Sequence, residues 1–599
     1  MRNWLLAGVA GLALSGCATT PARDAAANGA AAPVPVRIIA FNDFHGNLQP
    51  PSVAVPAQIS ETETVRVPAG GAAYFASAVD RLRAGNPNHA VVAAGDMIGA
   101  SPLVSSMFLD EPTIHAMNLI RIDYNAVGNH EFDRGRAELL RMQRGGCERH
   151  TSQQPCRLEP FGGARFGFLA ANVRSRDGRT LFPAYGMRTY RSGGRAVKVA
   201  FIGLTTRDTP TLVTPSGVEG LDFLDEAETV NALVPRLRVE GADAIVVMIH
   251  QGASLPGPRY TPRGAPVAPA PSCAAMEGDL MPILARLDPE VDLVVSGHTH
   301  NAYVCDYSTV DPARRFLVTS AGRYGTLLTS IDLTIDPERG VLERRAENVI
   351  VQSEAYQGSS GVVPLSDRFE AYPRHAAVAA LVDRYAAAAA PLAARVIGRF
   401  TGPATREPSP AGETALGDLV ADAQLAATSA PAAGGAQIAF MNGSGVRADI
   451  VPGPDGSVTY GQIFAAQPFG NSLVVKSFTG AQIRGLLEQQ FASGWNTVER
   501  PNMLMPSRGL SYAYDLSRPE GQRILDLRLN GQPIRDDASY RVTMNSFLAT
   551  GGDNFTLFRE GTDARGGPQD LDAIEAYVAA ASPLAPPAAD RIENRTPRP

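Results

Sequence analysis

From Val36 onward the chain is punctuated by short apolar runs: Val36 to Phe41, Ala90 to Ala94, Val197 to Leu204, Ala244 to Ile249 and Val291 to Val295. They are nearly continuous in Val, Ile, Ala and Leu rather than alternating with polar residues, which is the pattern of strands covered on both faces. Between them, Gly71 to Arg83 and Leu224 to Glu240 space their apolar residues as amphipathic helices do. Strands alternating with helices predict a layered α/β domain, in which ligands collect at the carboxyl ends of the strands.

After about residue 350 the pattern changes. Glu354 to Ser366 is polar and rich in Gly and Ser, and His375 to Val396 is Ala-rich with helical spacing, so a linker leading into a helix is expected. A second domain begins near Arg395. Its strand-like or helical runs are broken by glycine at Gln437 to Arg447, Gln467 to Asn471 and Asn545 to Phe555, and Gly412-Glu413 followed by Leu419 to Ala427 predicts a capped helix. The two domains would close on one substrate about a hinge near residues 354 to 396.

The polar residues add chemistry at the ends of these runs. Five knots stand out: Asn42-Asp43-Phe44-His45-Gly46, Gly95-Asp96, Gly128-Asn129-His130-Glu131-Phe132-Asp133, His250-Gln251-Gly252 and Gly297-His298-Thr299-His300. Of nine histidines, five fall in these knots, which random placement would rarely produce. Asp43 and His45, like His298 and His300, lie two apart, so on extended backbone their side chains would leave on the same side. A single histidine after a strand is usually a hydrogen-bonded loop residue, but the ensemble reverses that reading. Nitrogen and oxygen donors without thiolate suit Mn, Fe, Zn or Co, and a carboxylate such as Asp96 can bridge two ions. Two such ions can clamp both oxygens of a phosphoryl displacement.

The ordered set Asn42-Asp43-x-His45, Gly95-Asp96, Gly128-Asn129-His130-Glu131, His250 and Gly297-His298-x-His300 resembles the calcineurin-like metallophosphoesterase family, and within it the exported 5'-nucleotidase and UDP-sugar hydrolase branch. The resemblance implies a layered metallophosphoesterase β-sandwich flanked by helices, followed by a second α/β substrate-binding domain. It assigns Asp43, His45, Asp96 and His300 to one divalent ion and Asp96, Asn129, His250 and His298 to the other. His130 matches the catalytic histidine and Asp133 the aspartate that orients it, while Glu131 has no ligand role. The implied boundaries are 36–353 for the metal domain, 354–396 for the linker and connecting helix, and 397–590 for the nucleotide-binding domain.

In the second domain, an aromatic in a Pro/Gly loop is ordinarily an anchor packed on its own domain. Two of them beside an Asn, an Arg and an Asp also suit a stacking slot for a flat base and its sugar. The resemblance selects the slot, with Phe469 and Phe547 sandwiching the base and Asn442, Arg447 and Asp553 holding ribose, phosphate or base edges. One departure is Arg406, displaced by a proline-containing insertion within Thr405 to Asp418 from the place where this branch usually carries a further arginine. The implied reaction is hydrolysis of 5'-nucleotides to nucleoside and phosphate. Pyrophosphate cleavage in UDP-sugars or NAD, 2',3'-cyclic-nucleotide opening, and a nucleotide-binding lipoprotein with a vestigial metal site stay open.

Composition narrows the setting. The chain has 599 residues, 44% apolar and 19% charged, with a net charge of −6 and no long basic block, so nucleic acid polymer is excluded as a partner. Arg2, the apolar stretch Trp4 to Leu14 and Leu14-Ser15-Gly16-Cys17 read as an export signal too short to span a bilayer. That ending resembles the bacterial lipoprotein signal, which implies lipidation at Cys17 and membrane contact only through that anchor. The competing reading is a cleaved signal with an incidental cysteine. Ala18 in place of Asp favours the outer membrane, facing the periplasm, and residues 18 to 35 would be a disordered tether. The four remaining cysteines suit disulfides, most simply Cys147 with Cys156 and Cys273 with Cys305, in preference to a zinc ribbon.

Overall fold

The computed structural model describes residues 32–597 apart from 60–62, 152, 214–216, 258–259 and 359–360, so Cys17 and the signal lie outside the described residues. Two six-stranded sheets face each other. The first runs in the order Gly340–Ile350, Leu327–Asp336, Val34–Phe41, His89–Ala93, Tyr124–Ala126, Gly167–Leu169, and the second Ala302–Asp306, Leu317–Ala321, Leu293–Ser296, Ala244–His250, Arg195–Thr205, Tyr185–Ser192. Their central strands pair in parallel; antiparallel strands close both edges of the second sheet and the Gly340–Ile350 edge of the first, whereas Gly167–Leu169 joins its neighbour in parallel. The first strand begins at Val34, so residues 34 and 35 belong to the sheet and not to a tether.

The continuous apolar runs follow from this layering, because each strand buries both faces. Val36, Ile38 and Ala40 meet Phe201, Val246 and Met248 between the sheets. The alternate residues Ile39 and Phe41 pack outward under helix Ala72–Arg83. Likewise Ile245 and Val247 face helix Glu226–Val239. Disulfides Cys147–Cys156 and Cys273–Cys305 pin two long excursions of this domain.

The stretch expected to be a linker differs from that picture. Helix Ala376–Ala393 sinks Val378, Leu381, Val382, Tyr385 and Ala389 into the first domain's core. Its apolar stripe is too wide to stay in solvent, so only Ala394 and Arg395 separate it from the next strand, Val396–Arg399. The second domain has a five-stranded sheet, Leu504–Pro506, Ile438–Asn442, Ser539–Asn545, Ser472–Thr479, Thr562–Gln569. Helix Ala415–Thr428 packs on it and is capped by the Thr414 hydroxyl, which accepts from Gly417 N, rather than by Glu413.

Glu413 serves a buried cluster instead. Its carboxylate accepts the Arg591 and Ile592 amides at 3.0 Å, while the Arg591 guanidinium donates to both Asp422 oxygens at 2.8 Å and lies 3.6 Å from Asp418. Asp418 thus lies among two other carboxylates around a single guanidinium. Burial first, and the Glu413 carboxyl second, push Asp418 up to about 9. An unfolded Asp titrates near about 4, so the folded protein holds a proton that the unfolded chain has shed between these values. The associated stability is complete below about pH 4 and is lost as pH rises through about 9. Asp418→Asn is expected to shrink the fall in Tm between pH 6 and pH 9, measured by calorimetry; an unchanged alkaline slope would refute the raised titration of Asp418.

Candidate dinuclear metal centre

Every ligand-bearing knot sits at the carboxyl end of a central strand. Asp43 and His45 follow Val34–Phe41, Asp96 follows His89–Ala93, Asn129 and His130 follow Tyr124–Ala126, His250 ends Ala244–His250, and His298 and His300 follow Leu293–Ser296. The backbone there is not extended as the two-residue spacing suggested. Asp43, His45, Asp96, His298 and His300 have φ of 49, 46, 51, 70 and 61°, the left-handed region that costs a non-glycine residue about 1–3 kcal/mol each. Loop-to-loop bonds hold them there: Asp43 N to Gly95 O at 3.0 Å, His45 N to Asp96 O at 2.9 Å and Tyr324 N to Asp43 O at 2.7 Å. Gly128 is needed for close approach, since a Cβ there would lie 2.2 Å from Asp96 Oδ1.

The side chains form two groups, Asp43 with His45 and His300, and Asp96 with His250 and His298, and within each the donor atoms lie within 4.8 Å of one another. The pair His298 and His300 therefore divides between the groups. Asp96 Oδ2 joins them, 3.0 Å from His250 Nε2 and 3.7 Å from His45 Nε2. Asn129 Oδ1 is 3.1 Å from His250 Nε2. His45 donates from Nδ1 to Gly99 O at 2.9 Å and His250 from Nδ1 to Ala94 O at 2.8 Å, which turns both Nε2 atoms inward. His45 Nε2 and His300 Nε2 approach to 3.1 Å, an arrangement of facing lone pairs that suits a cation between them.

The electrostatics fit the same use. Burial pushes His45 and His298 down to about 3 and His300 well below the usual imidazole range, so all three are neutral donors. Burial also acts to lower His250, but the Asp96 carboxylate outweighs it and holds that ring at about 10. Uptake of an ion must then release the His250 proton. A buried set of neutral imidazoles, carboxylates and one carboxamide, without thiolate, fits two divalent ions of the Mn, Fe, Co or Zn type.

Two carboxylates outside the ligand set shape it. Glu131 is buried, and its oxygens accept from Gly128 N at 2.6 Å, Met97 N at 2.8 Å and Asp96 N at 2.9 Å, tying two ligand loops together. Nothing in the sequence beyond its place in the knot signalled that role. Asp133 accepts from His130 Nδ1 at 2.9 Å and from Ala100 N at 3.0 Å. Burial works to lower His130, but Asp133 and then Asp96 outweigh it and hold the ring above its ordinary range.

The second domain closes over this face. A cavity of about 290 Å³ is lined by Asp96, Asn129, His130, Asp133, His298 and His300 on one side and by Asn442, Arg447, Phe469, Phe547 and Asp553 on the other. Phe469 stacks on His130 with ring centres 5.7 Å apart and planes at 17°, and the Arg447 guanidinium lies 5.8 Å from the Phe469 centre. Asn442 Nδ2 donates to Asp553 at 2.8 Å, the Ser444 hydroxyl also donates to Asp553, and Asn545 donates to Asn442 Oδ1 at 2.9 Å. The sequence reading missed Ser444, Asn471, Asn545 and Thr299, which also line the cavity; single polar residues in loops and at a strand end leave no pattern. Arg406 is elsewhere, paired with Asp449 at 3.1 Å on the exposed surface.

Residues 36–302 match the profile described as calcineurin-like phosphoesterase, and residues 396–560 that described as 5'-nucleotidase, C-terminal domain. The endonuclease YhcR of Bacillus subtilis is 29% identical over 549 residues, which cover 91% of this chain. The chain spans 40% of that relative's length. Bovine 5'-nucleotidase is 23% identical over 616 residues, 96% of this chain and 95% of its own. A solved 5'-nucleotidase precursor from Thermus thermophilus superposes with a TM-score of 0.70 at 27% identity, over 94% of this chain and 100% of that one.

Proposed function

Because the chain belongs to the family that joins a calcineurin-like phosphoesterase domain to a 5'-nucleotidase C-terminal domain, we propose that it hydrolyses 5'-nucleotides to nucleoside and phosphate. One observation carries this reading: a single cavity has two metal-ligand groups on one wall and two phenylalanines, an arginine and a buried carboxylate on the other. When bound, two divalent ions supply Lewis-acid stabilisation of phosphoryl oxygens and lower the pKa of a water to near neutrality.

The remaining chemistry belongs to side chains. Asp133 fixes the His130 ring through Nδ1, which leaves Nε2 to deliver a proton to the departing ribose oxygen. Phe469 and Phe547 stack the base, Arg447 neutralises phosphate charge, and Asp553, oriented by Asn442 and Ser444, accepts from ribose or base edges. Export with lipidation at Cys17 is part of the same proposal; the two disulfides support an oxidising compartment.

Phosphate and nucleoside release should be measured in parallel for AMP, UDP-glucose, NAD and 2',3'-cyclic AMP with Mn or Zn present. AMP is expected to be turned over fastest. Faster cleavage of UDP-glucose or NAD would redirect the reading to a pyrophosphatase, and no release from any of them would leave a nucleotide-binding protein. Phe547→Ala is expected to raise KM for AMP by roughly 5- to 150-fold, the value of one base–aromatic stack, without altering turnover of p-nitrophenyl phosphate.

A further inference from the structure

Of the 54 lysines and arginines in this chain only Lys198 and Lys476 are lysine. Where a sequence uses arginine for nearly every cationic position, a retained lysine points to a place where the planar fork does not serve. Lys198 donates to one carbonyl, that of Glu240, at 2.8 Å. Lys476 donates to two, Ala549 O and Phe558 O, each at 2.8 Å. A compact ammonium can reach two oxygens from one point, whereas a guanidinium spreads its donors in a plane.

The topology gives these bonds their meaning. Lys476 stands on Ser472–Thr479, which pairs with Ser539–Asn545 on one side and Thr562–Gln569 on the other. The chain joining those two neighbours, residues 546–561, must therefore cross the strand that carries Lys476. That crossing bears Phe547 in the short helix Ser546–Ala549 and Asp553 in the turn Gly552–Asn554. Asp553 and Asn554 both hold left-handed backbone, φ 54 and 62°, which persists only when the surroundings impose it. The Lys476 amine binds one carbonyl before that turn and one after it.

We propose that Lys476 is a positioning residue for the nucleotide slot, clamping the two ends of the crossing segment so that Phe547 and Asp553 face the metal centre. It touches no reacting atom, and the functional part of this inference rests on the nucleotidase reading above. The clamp itself does not, so the two fail separately.

Lys476→Met keeps the aliphatic stem and removes the donors. In hydrogen–deuterium exchange, amides within 546–561 should exchange about tenfold or more faster in the variant, with the first domain unaffected; unchanged exchange there overturns the proposal whatever the protein hydrolyses. In kinetics, KM for AMP should rise about tenfold or more with kcat little changed, while p-nitrophenyl phosphate turnover and metal content stay at wild-type values. An equal loss on both substrates, or a loss of metal, would make Lys476 a general stabilising residue and sink the positioning role. Should Lys476→Met fail to fold, Lys476→Arg answers the same question: it should show a smaller rise in AMP KM and partial protection of 546–561, and wild-type values in both would overturn the need for an ammonium.

Discussion

Asp96→Ala is expected to lose both metal ions together and to reduce phosphate-ester turnover by roughly a thousandfold or more, since metal ions supply several kcal/mol of transition-state stabilisation and each 1.36 kcal/mol is tenfold in rate. The expectation comes from geometry. Among the described residues, Asp96 Oδ2 is the carboxylate oxygen within 4 Å of imidazole nitrogens in both ligand groups, His250 at 3.0 Å and His45 at 3.7 Å. Its charge is opposed by burial, but His250 and His130 more than compensate and hold it well below the usual carboxylate range. Elemental analysis after dialysis into metal-free buffer gives the count directly. Asp96→Asn keeps the shape and the bond from His130 N to Oδ1, so it separates loss of charge from loss of fold. His298→Ala, which removes a donor from one group only, should lose no more than one ion. Two retained ions and full rate in Asp96→Ala would refute the bridging assignment.

The convergence of Asp43, His45 and His300, and of Asp96, His250 and His298, was legible in the sequence. One histidine after a strand-like run says little, but five such knots in one chain carry information jointly, because ligands collect at the carboxyl ends of strands in sheets of this type. The strands were equally visible, because burial on both faces leaves apolar runs such as Ala244–His250 without interruption. What did not show in the sequence is conformational. Asp43 and His45 reach their positions through left-handed backbone, which is imposed by hydrogen bonds to the Gly95 and Asp96 loop and not by local propensity. Glu131 is a loop tie whose shortest bonds are to backbone amides, with the Asn125 carboxamide beside them, and no residue pattern records an amide's location. Helix Ala376–Ala393 read as a connector because its many alanines give weak amphipathicity; its docking depends on the surface offered by Phe108 and the first domain's other helices.

The cavity depends on both domains, and its central contact is the stack of Phe469 on His130. A ring expected to receive the base thus lies against the imidazole expected to supply the proton. Base occupancy and acid placement share one surface, so substrate recognition by the second domain acts on the same few ångströms as the chemistry of the first.

His130→Ala should therefore lower kcat by about 10²–10⁴-fold, the usual range for a positioned acid or base, while leaving both ions in place. His130 lies beside the ligand Asn129, but its own Nδ1 is committed to Asp133 and its amide to Asp96 Oδ1, so removing the ring leaves the donor atoms of both groups intact. Metal loss in this variant would refute its assignment as acid. The pH profile gives a second check. Burial lowers His130, but Asp133 and Asp96 raise it by more, and the protonated ring is the active form, so rate falls as pH climbs through its titration. Asp133→Asn removes the larger of the raising charges and should move that alkaline limb to lower pH. A limb that stays in place, or moves to higher pH, would show that the proton is delivered by another group.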